Sequence, residues 1–134
     1  MLQNRSMPAS TVIPVLAYPS VPEAVAWLSA AFGFTLRLAI GDHRAQLQAG
    51  DGAIVITGGS GGGEPRGGDS IMVRIPDARG HCDRARTHGA TIAMPPTDFP
   101  YGERQYTAVD FSGRAWTFSE SIADVDPRDW GGVA

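Results

Sequence analysis

The segment Asp98–Arg104, DFPYGER, carries the side chains best suited to recognising a small molecule. Tyr101 offers a flat ring for stacking and a hydroxyl that can donate and accept. Arg104 offers a planar fork that suits a carboxylate or phosphate, or a cation to lie over a ring. The plainer alternative is a connector stiffened by Pro100 and Gly102, with Arg104 pairing a nearby acid. Acid–base work without a cofactor would fall to Tyr101, Arg104 or Asp110, although Asp110, just before Ser112-Gly113, also has the make-up of a turn cap. Cys82 is the single cysteine, so no intrachain disulfide or multi-cysteine zinc cluster can form. At an apolar helical position it reads as a small buried hydrophobe rather than a nucleophile. His43 lies beside a turn sequence. His81 and His88, in RGHCDRARTHG, are seven residues apart, close to two helical turns. The expected setting of that pair is a solvated helix face, and no Ser–His–Asp or Cys–His pairing can be argued.

Two stretches share one plan for positioning these groups. Thr11–Ala17 is apolar and β-branched, as a strand requires. Ser20-Val-Pro-Glu23 then has the form of a capping box. Ala24, Trp27, Leu28 and Ala31 make one apolar helical stripe, with Trp27 read as core, and Gly33 ends the helix. Strands are expected at Phe34–Ile40, Arg44–Ala49 and Ala53–Thr57, separated by Gly41-Asp42 and Gly50-Asp51-Gly52. Gly58–Gly68, GGSGGGEPRGG, reads as a flexible connector; a phosphate cradle would need a GK[ST] ending and a following apolar helix.

The plan then repeats. Ser70–Ile75 is a strand, Asp77 a helix N-cap, Ala78, Cys82 and Ala85 the apolar stripe, and Gly89 the stop. Strands follow at Thr91–Met94, Gln105–Asp110 and Trp116–Ser121. Between the first two, PPTDFPYGE is expected to be a loop too long and irregular for a hairpin. In the tail, residues 122–134, Trp130 is expected to dock on an apolar surface.

The predicted fold class is therefore α+β: two tandem βαβββ units forming a curved mixed sheet around a cleft. Unit one spans about 11–57, the connector 58–68 and unit two about 69–121, all within one domain. The hydrophobic fraction of 43% supports a core, and a net charge of −3 with no lysine gives no footprint for nucleic acid. No apolar run approaches the ~20 residues that span a bilayer. The N-terminal residues lack the apolar run of a secretory signal, which makes the cytoplasm the expected compartment.

Three segments carry a family resemblance. AVAWLSAAFGF at 24–34 resembles the helix-to-strand passage of the vicinal oxygen chelate superfamily, which includes glyoxalase I, bleomycin-resistance proteins and extradiol dioxygenases. RARTHGA at 84–90 resembles the end of that superfamily's second helix, and YGERQYTAVDFSGRAWTFSE at 101–120 its closing strands. The resemblance implies the glyoxalase / bleomycin-resistance fold. It also implies a metal held by four side chains from the first and last strands of each unit. Those positions fall at Ile13, Val55 or Ile56, Ser70 and Thr117. None is a strong ligand and two are hydrocarbon, which predicts no metal and no cofactor. Thr117 then marks the cleft-facing parity of the last strand. Ser119, Ser70, Met72, Arg74, Ile13 and Val15 join it as candidate ligand-binding residues with Tyr101 and Arg104. Trp116 and Phe118 fall on the other parity, in the core.

Two function classes follow. One is a metal-free binding protein for a small aromatic or drug-like compound, acting as a homodimer as members of this superfamily commonly do. The other is a lyase, isomerase or dioxygenase of the same superfamily with a non-standard or metal-independent active site.

Overall fold

The computed structural model describes residues 2–59 and 69–133. The glycine-rich connector expected at 58–68 lies, from residue 60 on, outside the described residues. The chain divides into two compact units, Met1–Glu64 and Pro65–Ala134.

Unit one runs β1 (Val15–Tyr18), α1 (Val21–Phe32), β2 (Thr35–Ile40), β3 (Arg44–Ala49) and β4 (Gly52–Gly58), with sheet order β1-β4-β3-β2. β1 pairs with β4 in parallel and the other neighbours are antiparallel. α1 begins as its capping sequence dictates: the Ser20 hydroxyl accepts from the Glu23 amide and Pro22 lies in the first turn. It ends at Gly33, whose φ of 78° is the left-handed conformation that glycine adopts without cost. Ala24, Leu28, Ala31 and Phe32 are buried on the helix, and Leu16, Tyr18, Leu47, Ile54 and Ile56 on the sheet. Trp27 is only half-buried, with its ring edge-to-face against Phe32.

Unit two repeats the order with β5 (Ile71–Arg74), α2 (Ala78–Thr87), β6 (Thr91–Phe99), β7 (Glu103–Val109) and β8 (Ala115–Ser121), in sheet order β5-β8-β7-β6. Asp77 caps α2 by accepting from the Gly80 amide at 3.1 Å. Trp116, Phe118, Tyr106 and Ala108 are all 0% exposed and form the core with Ala78, Cys82 and Ala85 of α2. The core parity read for Trp116 and Phe118 is the one observed. Asp110 is a turn cap: its carboxylate accepts from the Ser112 and Arg114 amides at 3.0 and 2.9 Å, and from the buried Trp116 Nε1 at 3.0 Å.

Three expectations need correction. β1 starts at Val15 rather than Thr11. The PPTDFPYGE stretch is not a long irregular loop: β6 continues through Pro95 and Pro96 to Phe99 and pairs Phe99 with Glu103 across a tight hairpin. Proline is tolerated there because β6 is an edge strand, so one row of its amides needs no sheet partner, and the register shifts between Met94 and Thr97. Third, His81 is not on a solvated face. Its Nδ1 meets the Tyr106 hydroxyl, and its ring lies 4.2 Å from that of Phe118. His88, in contrast, is exposed just past α2, with Nδ1 on the Arg84 carbonyl.

Candidate functional site

In unit two, strand register sorts the predicted residues by face. Opposite Trp116 and Phe118 on β8 lie Ile71, Val73, Tyr106 and Ala108, on the face that α2 covers. The helix-free face therefore carries Met72 and Arg74 of β5, Thr117 and Ser119 of β8, and Glu103, Gln105 and Thr107 of β7. Ser70, one residue before β5, reaches the same face: its hydroxyl lies 3.1 Å from that of Thr117. Thr117 lies 3.1 Å from Thr107 in turn, so three hydroxyls are linked from the start of β5 through β8 to β7.

Beside them runs a second polar chain. The Tyr101 hydroxyl donates to Gln105 Oε1 at 3.2 Å, Gln105 Nε2 donates to Ser119 Oγ at 3.0 Å, and Ser119 Oγ donates to Glu103 Oε1 at 2.7 Å. Gln105 and Ser119 are both buried. Hydrogen bonds from Ser121 and Ser119 hold the Glu103 carboxyl below the usual carboxylate range, aided by the positive charge of Arg74. Glu103 is thus a fixed anion at neutral pH, a hydrogen-bond acceptor rather than a proton shuttle.

Aromatic rings border this network. Tyr101 stacks on Phe99 with centroids 5.4 Å apart and planes 10° apart, and meets Trp130 at 5.1 Å. Trp130 ends the 3-10 turn Pro127–Trp130 and is 45% exposed. The tail reaches Tyr101 because Ile122 and Ala123 donate to the Gly102 carbonyl. Gly102 has φ of 84°, and a Cβ there would lie 2.3 Å from the Ala123 carbonyl oxygen, so only glycine fits.

Arg104 is not part of this site. It alternates to the opposite face, where it grips both oxygens of Asp98 at 2.6 and 3.2 Å and lies 4.0 Å from Glu120. Glu120 in turn accepts from the Ala78 amide at the start of α2. The acid-pairing alternative for Arg104 is the arrangement found. A shallow depression nearby, about 330 Å³ and lined by Arg74, Ile75, Pro76, Glu120 and Ser121, borders the same strands. Glu103, Gln105, Thr107 and Phe99 were not singled out from the sequence. The alternation of polar Glu103, Gln105 and Thr107 against Arg104, Tyr106 and Ala108 was the signal that could have found the first three.

The four positions carried over as metal-ligand slots come together pairwise. Ser70 and Thr117 touch in unit two, as given above. In unit one, β4 pairs Val55 with Val15, and the Val55 amide donates to the Pro14 carbonyl, next to Ile13. One pair supplies hydrocarbon and the other neutral hydroxyls already bonded to each other. Neither supplies the imidazole or carboxylate that a divalent transition ion requires, so these residues do not fit the metal. Among the described residues, no three His, Cys, Asp or Glu side chains come together in a metal-binding group.

With this fold and these strands, the chain belongs to the Glyoxalase/Bleomycin resistance protein/Dioxygenase superfamily, which residues 11–118 match. It is similar to TioX from Micromonospora sp. ML1, with 32% identity over 85% of this chain and 100% of that one, and a TM-score of 0.69. FosX, a fosfomycin resistance protein from Listeria monocytogenes solved with Mn(II) and sulfate, shares the fold at 15% identity, covering 86% of this chain and 92% of that one, with a TM-score of 0.70. A glyoxalase/bleomycin resistance protein/dioxygenase from Nocardioides does so at 16% identity, covering 93% and 89%, with a TM-score of 0.65. No curated protein sequence matches the chain. Among the described residues, no helix is long and apolar enough to cross a membrane.

Proposed function

We propose that this protein binds a small aromatic compound without a metal ion, on the helix-free face of unit two. The carrying observation is the ring cluster Phe99, Tyr101 and Trp130 set directly against the Tyr101–Gln105–Ser119–Glu103 hydrogen-bond chain. Apolar walls with a few placed polar groups are the usual make-up of a small-molecule site. Ring stacking supplies affinity and the carboxylate of Glu103 selects a ligand with a hydroxyl or N–H donor. Ser70, Met72, Arg74, Thr117 and Ser119 belong to the same face. Ile13 and Arg104 carry less of the reading, since Ile13 lies in unit one and Arg104 on the opposite face of its sheet. A homodimer in the cytoplasm is part of this proposal.

The experiment is metal analysis of protein purified without chelators, followed by calorimetric titration with 2-naphthol, a neutral planar ring with one donor. The expected result is substoichiometric metal and a single binding event, weakened about three- to tenfold by Trp130→Ala, as the loss of one ring contact implies. Stoichiometric Zn, Ni, Mn or Fe, or unaltered binding in the variant, would overturn it. The second reading, a lyase, isomerase or dioxygenase, is favoured by the Mn(II) in the similarly folded FosX. Stoichiometric metal would select it.

A further inference from the structure

Unit one contains a polar arrangement that the proposed site does not use. Leu36 of β2 pairs with Leu47 of β3, and Leu38 with Gln46, so one extra residue, Arg37, bulges out of the ladder. A bulge re-aims the side chain it carries. Here it sends the Arg37 guanidinium to Gln46 Oε1, at 2.5 Å. Gln46 is 2% exposed, on the face of β3 away from the buried Ala45 and Leu47.

The chain's own N-terminal segment closes over this pair. Arg37 donates to the carbonyls of Arg5 and Met7 at 2.9 and 3.0 Å, and Gln46 Nε2 donates to the carbonyl of Ser6 at 2.9 Å. Three consecutive carbonyls converge because residues 4–7 form a tight turn. The Met7 amide donates to the Asn4 carbonyl at 3.1 Å and the Ser6 amide to the Asn4 side chain at 3.0 Å. Pro8, directly after the turn, is buried. Arg37 and Gln46 hold the turn through its main-chain carbonyls, while the Asn4 side chain shapes it.

The charges do not balance. Among the described residues, the hydrogen-bond partners of Arg37 are an amide oxygen and two peptide carbonyls, all neutral. Aligned carbonyls at the end of a turn carry partial negative charge, as at a helix C-terminus, and act as a stand-in for an anion. A carboxylate would set a full negative charge against the guanidinium in place of these partial ones.

We infer that Arg37 and Gln46 form an anion subsite for a carboxylate-bearing ligand, and that the turn at residues 4–7 occupies it as a displaceable cap. The subsite is built from residues of unit one, none of which the ring-binding reading for unit two uses. A carboxylate takes the two guanidinium N–H groups, the carbonyls of Arg5 and Met7 lose their donors, and the turn lifts away.

Hydrogen–deuterium exchange of the full-length protein tests this, with the Ser6 and Met7 amides as reporters and benzoate as the probe against chloride of equal ionic strength. Benzoate is expected to speed exchange of both amides several-fold in the parent protein. In Arg37→Ala the two amides exchange fast already and benzoate adds nothing. Arg37→Gln, which keeps a polar side chain without charge, is expected to hold the turn and lose the benzoate response. Three results would each overturn the inference. One is parent exchange unaffected by benzoate, another is Arg37→Ala exchanging at the parent rate, and the last is Arg37→Gln responding to benzoate like the parent. 2-Naphthol carries no carboxylate, so its binding in unit two stands or falls separately.

Discussion

Replacing Ser119 with alanine tests whether the polar chain on the helix-free face of unit two is a connected unit. Ser119 is 3% exposed and joins two neighbours: it accepts from Gln105 Nε2 and donates to Glu103 Oε1. The variant leaves the buried Gln105 amide short of an acceptor, at a cost of about 1–3 kcal/mol for an unpaired buried donor. The bond to Glu103 is charge-assisted, but Glu103 is partly exposed and water replaces much of that loss, leaving about 0.5–1 kcal/mol. The sum is roughly 1.5–4 kcal/mol, and for a chain of this size that lowers Tm by about 5–12 °C. Urea and thermal unfolding measure it directly. A second readout is pH. The folded-state pKa of Glu103 is depressed by Ser121 and Ser119, so its ionisation stabilises the fold above the unfolded carboxylate pKa, and that stability is lost as pH falls through the folded value. Removing Ser119 lifts the folded pKa towards normal, so the variant's disadvantage shrinks as the solution is acidified below about pH 4. A destabilisation under about 0.5 kcal/mol at neutral pH, or a difference that grows on acidification, would refute the network as described.

Asp110→Ala removes the acceptor of two turn amides and of the buried Trp116 Nε1, and is expected to cost about 3 kcal/mol. In a double-mutant cycle with Trp116→Phe, a coupling of about 1 kcal/mol or more measures the indole bond, and additivity would exclude it. Cys82 is buried and its thiol pKa is raised by that burial, so iodoacetamide should label it only after denaturation. Fast labelling of native protein would contradict its place on the buried face of α2. Light scattering at micromolar concentration is expected to give twice the monomer mass, and a monomer mass would remove the dimer from the functional proposal.

Local physics made most of the architecture legible in the sequence. Ser20 and Asp77 can accept from the amides that begin a helix, Gly33 has the left-handed freedom that ends one, and the apolar stripes have helical spacing. Period-two alternation set Trp116 and Phe118 on one face and Thr117 and Ser119 on the other, because successive strand residues point opposite ways, and the family resemblance marked the Thr117 face as the one away from the core. The repetition of these signals marked the two βαβββ units. Tertiary neighbours alone decided the rest. An edge position with no second sheet partner lets β6 pass through Pro95 and Pro96. The continued strand puts Glu103 and Gln105 on the site face and turns Arg104 away to Asp98 and Glu120. A bulge, set by how two strands register, aims Arg37 at Gln46 and at a turn some thirty residues earlier in the chain. The Tyr101 ring and hydroxyl were legible from the start as groups suited to recognition. Their partners were not, because Trp130 and Gln105 reach Tyr101 only after the tail and β7 have folded against it.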